Sequence, residues 1–316
     1  MNKINLDYQF LFVKFPIIFP LIYAFVLYQF PSLETELIII TILLLAETHF
    51  GATWPFFLDK VNYSHILKNR MSLITIPILI IIFSLLSFFI IYDLFLLIFF
   101  AANMYHVTRQ SFGVTKLYCK SINENKFQEI SIYIVNFLFF LIGFFRFYLP
   151  IINEDNFLYM NIIVLFLFIC LCIFYLYKFK YSENFLVFLT GCLIFYPMCF
   201  VNNPIHALIM GVTMHYTQYL YLTYNVCNSR KNNFLENNFF TFFKKFSNYF
   251  IIILIYSFIM TIFSSFGKFD DLYLKQLIII PLVGQMLHFY LDSQLWKFSE
   301  KHNRDNTLLY LTKLIK

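Results

Sequence analysis

Residues 93–113, DLFLLIFFAANMYHVTRQSFG, open as an unbroken apolar run and turn polar about halfway. His106, Arg109 and Gln110 fall where a helix started at Asp93 would still be inside a bilayer. The stretch decides the fold because it reads either as a core helix or as a membrane span with a functional interior. The surrounding chain settles the choice. Its 316 residues are 60% hydrophobic, 22% aromatic and only 13% charged, whereas a soluble domain carries roughly 25% charged residues. Apolar runs near the ~20 residues that a bilayer core demands recur from end to end. The expected fold is therefore all-α: a polytopic transmembrane helical bundle forming one integral membrane domain over 1–316.

Ten candidate spans are read at 9–30, 37–58, 71–92, 94–114, 128–149, 157–177, 184–202, 204–226, 249–266 and 273–296. Charge tests this count. With the N-terminus inside, 19 of the 23 Lys and Arg fall in cytoplasmic segments. Only Arg146, Lys268 and Lys275 fall outside, and Lys14 lies within the first span. That asymmetry follows the positive-inside rule and predicts both termini in the cytoplasm. It also accounts for the net charge of +6 without a nucleic-acid partner. The first apolar run has no small-residue cleavage site and is expected to be retained as a span. The stretch 227–248 is polar with aromatic interruptions, as expected for a helix lying on the inner leaflet. The six cysteines show no CxxC spacing and read as small buried hydrophobes.

The outside-to-inside spans carry a pattern. His49, His106, His215 and His288 lie on four of them, each about 16–22 Å from the outer end at 1.5 Å per residue. Three have polar neighbours at helical spacing. These stripes are Asn103–His106–Gln110, His215–Gln218–Tyr219 and Gln285–His288–Asp292–Trp296. In THFGATWP, Glu47 and His49 are two residues apart, and Gly51 and Pro55 are expected to loosen the helix. Ionisable groups inside a bilayer are costly and mark functional interiors. Four imidazoles at one depth suit a metal centre built from facing helices, with iron, zinc or copper as candidate ions. Without a cysteine in the set, a thiolate zinc site is disfavoured. An all-nitrogen site facing lipid suits non-haem iron, Fe(2+), with dioxygen as co-substrate. Glu47 and Asp292 are the candidate catalytic carboxylates, orienting ligand rings or, for Asp292, ligating directly. Asn103, Gln110, Gln218, Tyr219 and Gln285 are the candidate groups lining the cofactor.

Other polar residues have plainer readings. Arg109 reads as a headgroup anchor, and Trp54 and Trp296 as interfacial belt residues. His206 is expected to face a loop near the outer surface, and His65 and His302 to be solvated.

At these residues the chain resembles the Brp/Blh family, bacterial membrane enzymes that cleave β-carotene to retinal. THFGAT is similar to a family motif placing a histidine next to Gly-Ala, with one extra residue here between His49 and Gly51. His106 looks like the second family histidine. The third motif departs: where the family has His-x-x-x-His on one helix, this chain has His215 followed by Tyr219. His288, in HFYLDSQLWK, would supply the missing ligand from the last span. The resemblance implies iron held by histidines, a carotenoid or other isoprenoid substrate drawn from the lipid, and a multi-pass protein of a bacterial inner membrane. The rival readings are a proton-coupled transporter, a haem- or quinone-binding electron-transfer protein, and a purely structural role. No HxxxH or HxxHH box occurs, which separates the chain from membrane desaturases.

Overall fold

The computed structural model describes residues 7–57, 60–119, 121–149, 154–230, 246–268 and 272–315. Among these residues the chain is all-helical, with no strand. The expected surface helix at 227–248 falls mostly on 231–245, outside the described residues.

In chain order the helices are α1 Ile18–Gln29, α2 Glu34–Thr41, α3 Glu47–Gly51, α4 Trp54–Phe57, α5 Lys60–Lys68, α6 Ile76–Ile90, α7 Tyr92–Tyr118 and α8 Ile122–Gly143. There follow α9 Glu154–Phe179, α10 Glu183–Leu193, α11 Pro204–Ser229, α12 Phe246–Ser265, α13 Leu272–Lys275, α14 Ile279–Leu295, α15 Lys301–Asn303 and α16 Leu309–Ile315. Short π-helical and 3-10 turns join several of them into longer rods.

Among the described residues, five helical stretches are long and apolar enough to cross a membrane: Pro31–Phe57, Met71–Ile90, Ile122–Tyr148, Asn156–Phe179 and Leu274–Leu295. The stretch Asn156–Phe179 is mostly exposed, and Leu158, Ile162, Ile163, Phe166 and Ile173 face outward. A continuous apolar surface of this kind marks contact with lipid rather than water. These features are those of a multi-pass membrane protein.

The predicted spans 94–114 and 204–226 are each one continuous helix, α7 of 27 residues and α11 of 26. Their polar stripes make them less apolar than the five. Besides the turn at Ala52 and Thr53 within 37–58, two predicted spans are broken. The first, 9–30, divides into a π-helical turn Phe10–Lys14 and the 12-residue α1. The seventh, 184–202, divides into the 11-residue α10 and a 3-10 turn Tyr196–Cys199. Pro16 and Pro197 sit at these breaks. Proline lacks the N–H that would continue the helical ladder and clashes with the preceding turn.

Contacts divide the chain into two compact units, Met1–Ile38 with Met104–Gln218 and Ile39–Asn103 with Tyr219–Lys316. In the first unit, α8 packs against α9, α10 and the turn Tyr196–Cys199. Ser121 caps α8 by accepting from the Glu124 N–H at 3.4 Å, satisfying one of the orphan donors of a helix start. Asn136, fully buried on α8, donates to the carbonyls of Ile132 and Gly191 at 2.9 and 2.8 Å. The second of these bonds ties α8 to α10.

In the second unit, α3 packs on α12, while α14 packs against α6 and α12. Phe88, Phe95, Ile279 and Val283 form a buried apolar cluster there. Gly51 closes α3 against α12. A Cβ at that position would stand 2.8 Å from the Tyr256 ring, so only glycine allows this approach without a shift.

Candidate metal-binding histidines

The second unit places His49 and His288 together. A π-helical turn, Ile42–Ala46, leads into α3. The helix stops at Gly51, and Ala52 and Thr53 form a turn before Pro55. The loosened segment expected from Gly51 and Pro55 is therefore present. Every residue from Glu47 to Gly51 is buried. The His49 ring lies 4.5 Å from the His288 ring and 4.3 Å from the Tyr219 ring, centroid to centroid.

Around His288 a hydrogen-bonded knot joins three segments of this unit. Thr53 Oγ1 lies 2.7 Å from His288 Nδ1, 3.0 Å from Tyr219 Oη and 3.0 Å from Asp292 Oδ1. Tyr219 donates to the same Asp292 oxygen at 2.6 Å. The other carboxylate oxygen, Oδ2, is 3.6 Å from His288 Nε2, across one helical turn. His288 and Asp292 are both 1% exposed. Such polar knots persist in an apolar interior only when their members satisfy one another. Gln285, one turn before His288, donates to Glu47 Oε1 at 3.0 Å. Glu47 Oε2 is buried without a hydrogen-bond partner among the described residues.

The first unit places His106 of α7 beside His215 of α11. Their rings are 5.8 Å apart and nearly perpendicular, and both residues are buried. On the same two helices Ser111, Thr115 and Thr217 return their hydroxyls to helix carbonyls three or four residues back. Each of these hydroxyls is thereby satisfied within its own helix.

The remaining predicted residues are distributed as follows. Asn103 is buried in the second unit and Gln110 is half-buried in the first. Gln218 spends its amide N–H on the Val13 carbonyl at 2.8 Å, so its visible task is tying α11 to the N-terminal π turn. Tyr219 and Gln285 hold carboxylates, as described. Arg109 is exposed.

Three histidines depart from expectation. His206 is 1% exposed and not loop-facing. Its Nδ1 meets Tyr23 Oη at 2.7 Å and its Nε2 meets Glu34 Oε1 at 2.7 Å. The two partners close over the ring from α1 and α2. His65 and His302 are half-buried and stacked on each other, 3.8 Å apart with an interplanar angle of 8°. His302 Nε2 also lies 2.8 Å from Asn62 Oδ1. Burial lowers the His302 pKa to about 4, and the neighbouring His65 and Arg230 push the same way. His65 is lowered as well, first by burial.

Sequence inspection missed Thr53. Its only signal was its place in the turn between Gly51 and Pro55.

The chemistry open to the paired histidines follows from ring spacing. Imidazole nitrogens sit about 2.0–2.1 Å from a bound zinc ion, with similar distances for iron, so two rings on one ion have centroids at most about 6.4 Å apart. Separations of 4.5 and 5.8 Å both meet this limit. The described residues that enter metal-capable groupings are His49, His106, His215, His288 and Asp292. Neither a cysteine nor Glu47 is among them. These histidine groupings could hold a metal ion. Comparison with protein-family models, with curated proteins and with solved structures finds no match.

Proposed function

We propose that the protein is a membrane-embedded non-haem iron oxygenase acting on a long apolar substrate from the lipid phase. In this reading ten spans cross the membrane with both termini in the cytoplasm, and His49, His106, His215 and His288 are the residues that hold ferrous iron. The observation that carries it is the presence of two buried imidazole pairs, at 4.5 and 5.8 Å, the first of them on stretches long and apolar enough to cross a membrane. Burying four imidazoles for packing alone would bring no compensating gain. All-imidazole donors suit iron, copper or zinc. The resemblance to the Brp/Blh family favours iron, and a carotenoid such as β-carotene as substrate.

Bound iron would supply dioxygen activation. The protein's own part is narrower. Phe50 and Phe289 pack edge-on to His288 at 5.1 and 6.0 Å and keep water from its ring. Tyr219 and Thr53 hold Asp292 in place beside it. Glu47, held by Gln285, is the nearby carboxyl group available to bind or release a proton.

The test is oxygen-dependent loss of β-carotene. Purified protein, loaded with ferrous iron without air, is given β-carotene in detergent and then exposed to oxygen. Retinal formation, absent in His288→Ala, is the expected result. Iron-loaded protein that consumes neither carotenoid nor oxygen would contradict the reading.

The Glu34–His206–Tyr23 chain favours a second reading, a proton-coupled carrier, because relays of this kind line proton paths in transporters. Proton uptake into vesicles that is lost in His206→Gln would support it over the oxygenase.

A further inference from the structure

Thr53 differs from the buried threonines that satisfy themselves within a helix. Thr48, Thr115, Thr217 and Thr223 each donate to a carbonyl one turn back, the usual way a threonine satisfies itself in a helix. Thr53 sits in the turn between α3 and α4. From there its hydroxyl meets three side chains instead: His288, Tyr219 and Asp292. It is 1% exposed, so water does not share the work.

Counting protons assigns the direction of each bond. Thr53 and Tyr219 carry one hydroxyl proton each, and a carboxylate only accepts. Both hydroxyls approach Asp292 Oδ1, at 3.0 and 2.6 Å. When both donate there, Thr53 Oγ1 has only lone pairs left to offer His288 Nδ1 at 2.7 Å. The ring must then carry its proton on Nδ1. The opposite assignment, with Thr53 donating to Nδ1, strips Asp292 of one donor and moves the ring proton to Nε2. A neutral imidazole binds a metal through its unprotonated nitrogen, and the bond made by the other nitrogen decides which one that is.

We propose that Thr53 is a positioning residue. Its hydroxyl, donated to Asp292, holds His288 as the Nδ1–H tautomer and so presents Nε2 as the ligand atom. The inference rests on the metal-centre reading above and deepens it. Asp292 Oδ2, 3.6 Å from Nε2, is then placed to join the same ion.

The experiment compares full-length wild type, Thr53→Val and Thr53→Ser in detergent. Each is titrated without air with cobalt(II) and then ferrous iron, following affinity and the visible cobalt spectrum. Valine keeps the shape and removes the hydroxyl, while serine keeps the hydroxyl. Losing a group that orients a metal ligand costs about 10–100-fold in affinity. Thr53→Val is expected to show that loss with an altered cobalt spectrum, and Thr53→Ser to bind within about threefold of wild type. Wild-type affinity and spectrum in Thr53→Val would overturn the inference while leaving the metal centre standing. Wild type that binds neither ion would overturn the metal reading itself and the inference with it. Nitrogen-15 NMR of metal-free wild type, with His288→Gln to assign the resonance, tests the tautomer even where Thr53→Val fails to fold. A proton on Nε2 would refute the assignment.

Discussion

Gly211 lies one helical turn before His215 on α11. A Cβ built at Gly211 would collide with the carbonyl oxygen of Ile194, and would stand 2.9 Å from the carbonyl carbon and 3.1 Å from Pro197 Cδ. Non-bonded carbons settle at about 3.5–4.0 Å. The helix would therefore have to withdraw by more than about 1 Å, because the nearest obstacle is a backbone carbonyl oxygen and not a flexible side chain. Overpacking of this kind costs about 1–3 kcal/mol, and a backbone obstacle puts Gly211→Ala at the upper end. The withdrawal also moves His215, the next residue but three. The control is Gly113→Ala on α7, where an added Cβ meets nothing within 4 Å. There alanine is expected to stabilise by up to about 1 kcal/mol, the helix-propensity difference. Thermal unfolding of both variants in the same detergent decides the matter. The expected order is Gly113→Ala, wild type, then Gly211→Ala well below. Gly211→Ala as stable as wild type would refute the close approach of α11 to the turn before it.

Two further outcomes follow from buried polar groups. Asn136→Leu should destabilise by about 1–3 kcal/mol, because the Ile132 and Gly191 carbonyls share its amide donors and the Gly191 carbonyl loses its tie to α8. Denaturation of the purified variant measures this. The His65–His302 stack gives a pH dependence. The folded pKa of His302, about 4, lies below its unfolded value of 6.5. The unfolded chain therefore takes up a proton that the folded chain refuses. Stability is full above about pH 6.5, falls as the pH drops towards 4, and levels off below. Partial exposure screens the effect to about 1 kcal/mol. Limited proteolysis of the 297–315 segment from pH 7.5 to 4.5 should show increasing cleavage, and His302→Phe should flatten the curve. Equal protection at both ends in wild type would contradict the assignment.

The class of fold was legible because apolar runs of span length are a strong signal and helices satisfy their own backbone. The breaks at Pro16 and Pro197 were visible as residues, yet the hydropathy around them stays high and a span reads straight through. The interruption after Gly51 was legible because glycine and proline stand four residues apart. The candidate histidines were found by depth along their helices, which spacing alone supplies. Thr53 was not, since nothing local tells a threonine that bonds its own helix from one that holds three distant side chains. Likewise His206 meets Tyr23 and Glu34, which lie 183 and 172 residues away in sequence. Pairings over such separations are made by packing, and no local pattern announces them.

The central claim is that buried histidines hold a metal ion. The most direct measurement is the metal content of protein purified in detergent and reconstituted with ferrous iron without air, read by mass spectrometry. Wild type would be run beside His49→Ala, His106→Ala, His215→Ala and His288→Ala, with His206→Ala as a buried-histidine control. The account predicts about one iron per chain in wild type and in the control, and its loss in each of the four while they remain folded. Folded wild type that holds no transition metal would contradict it.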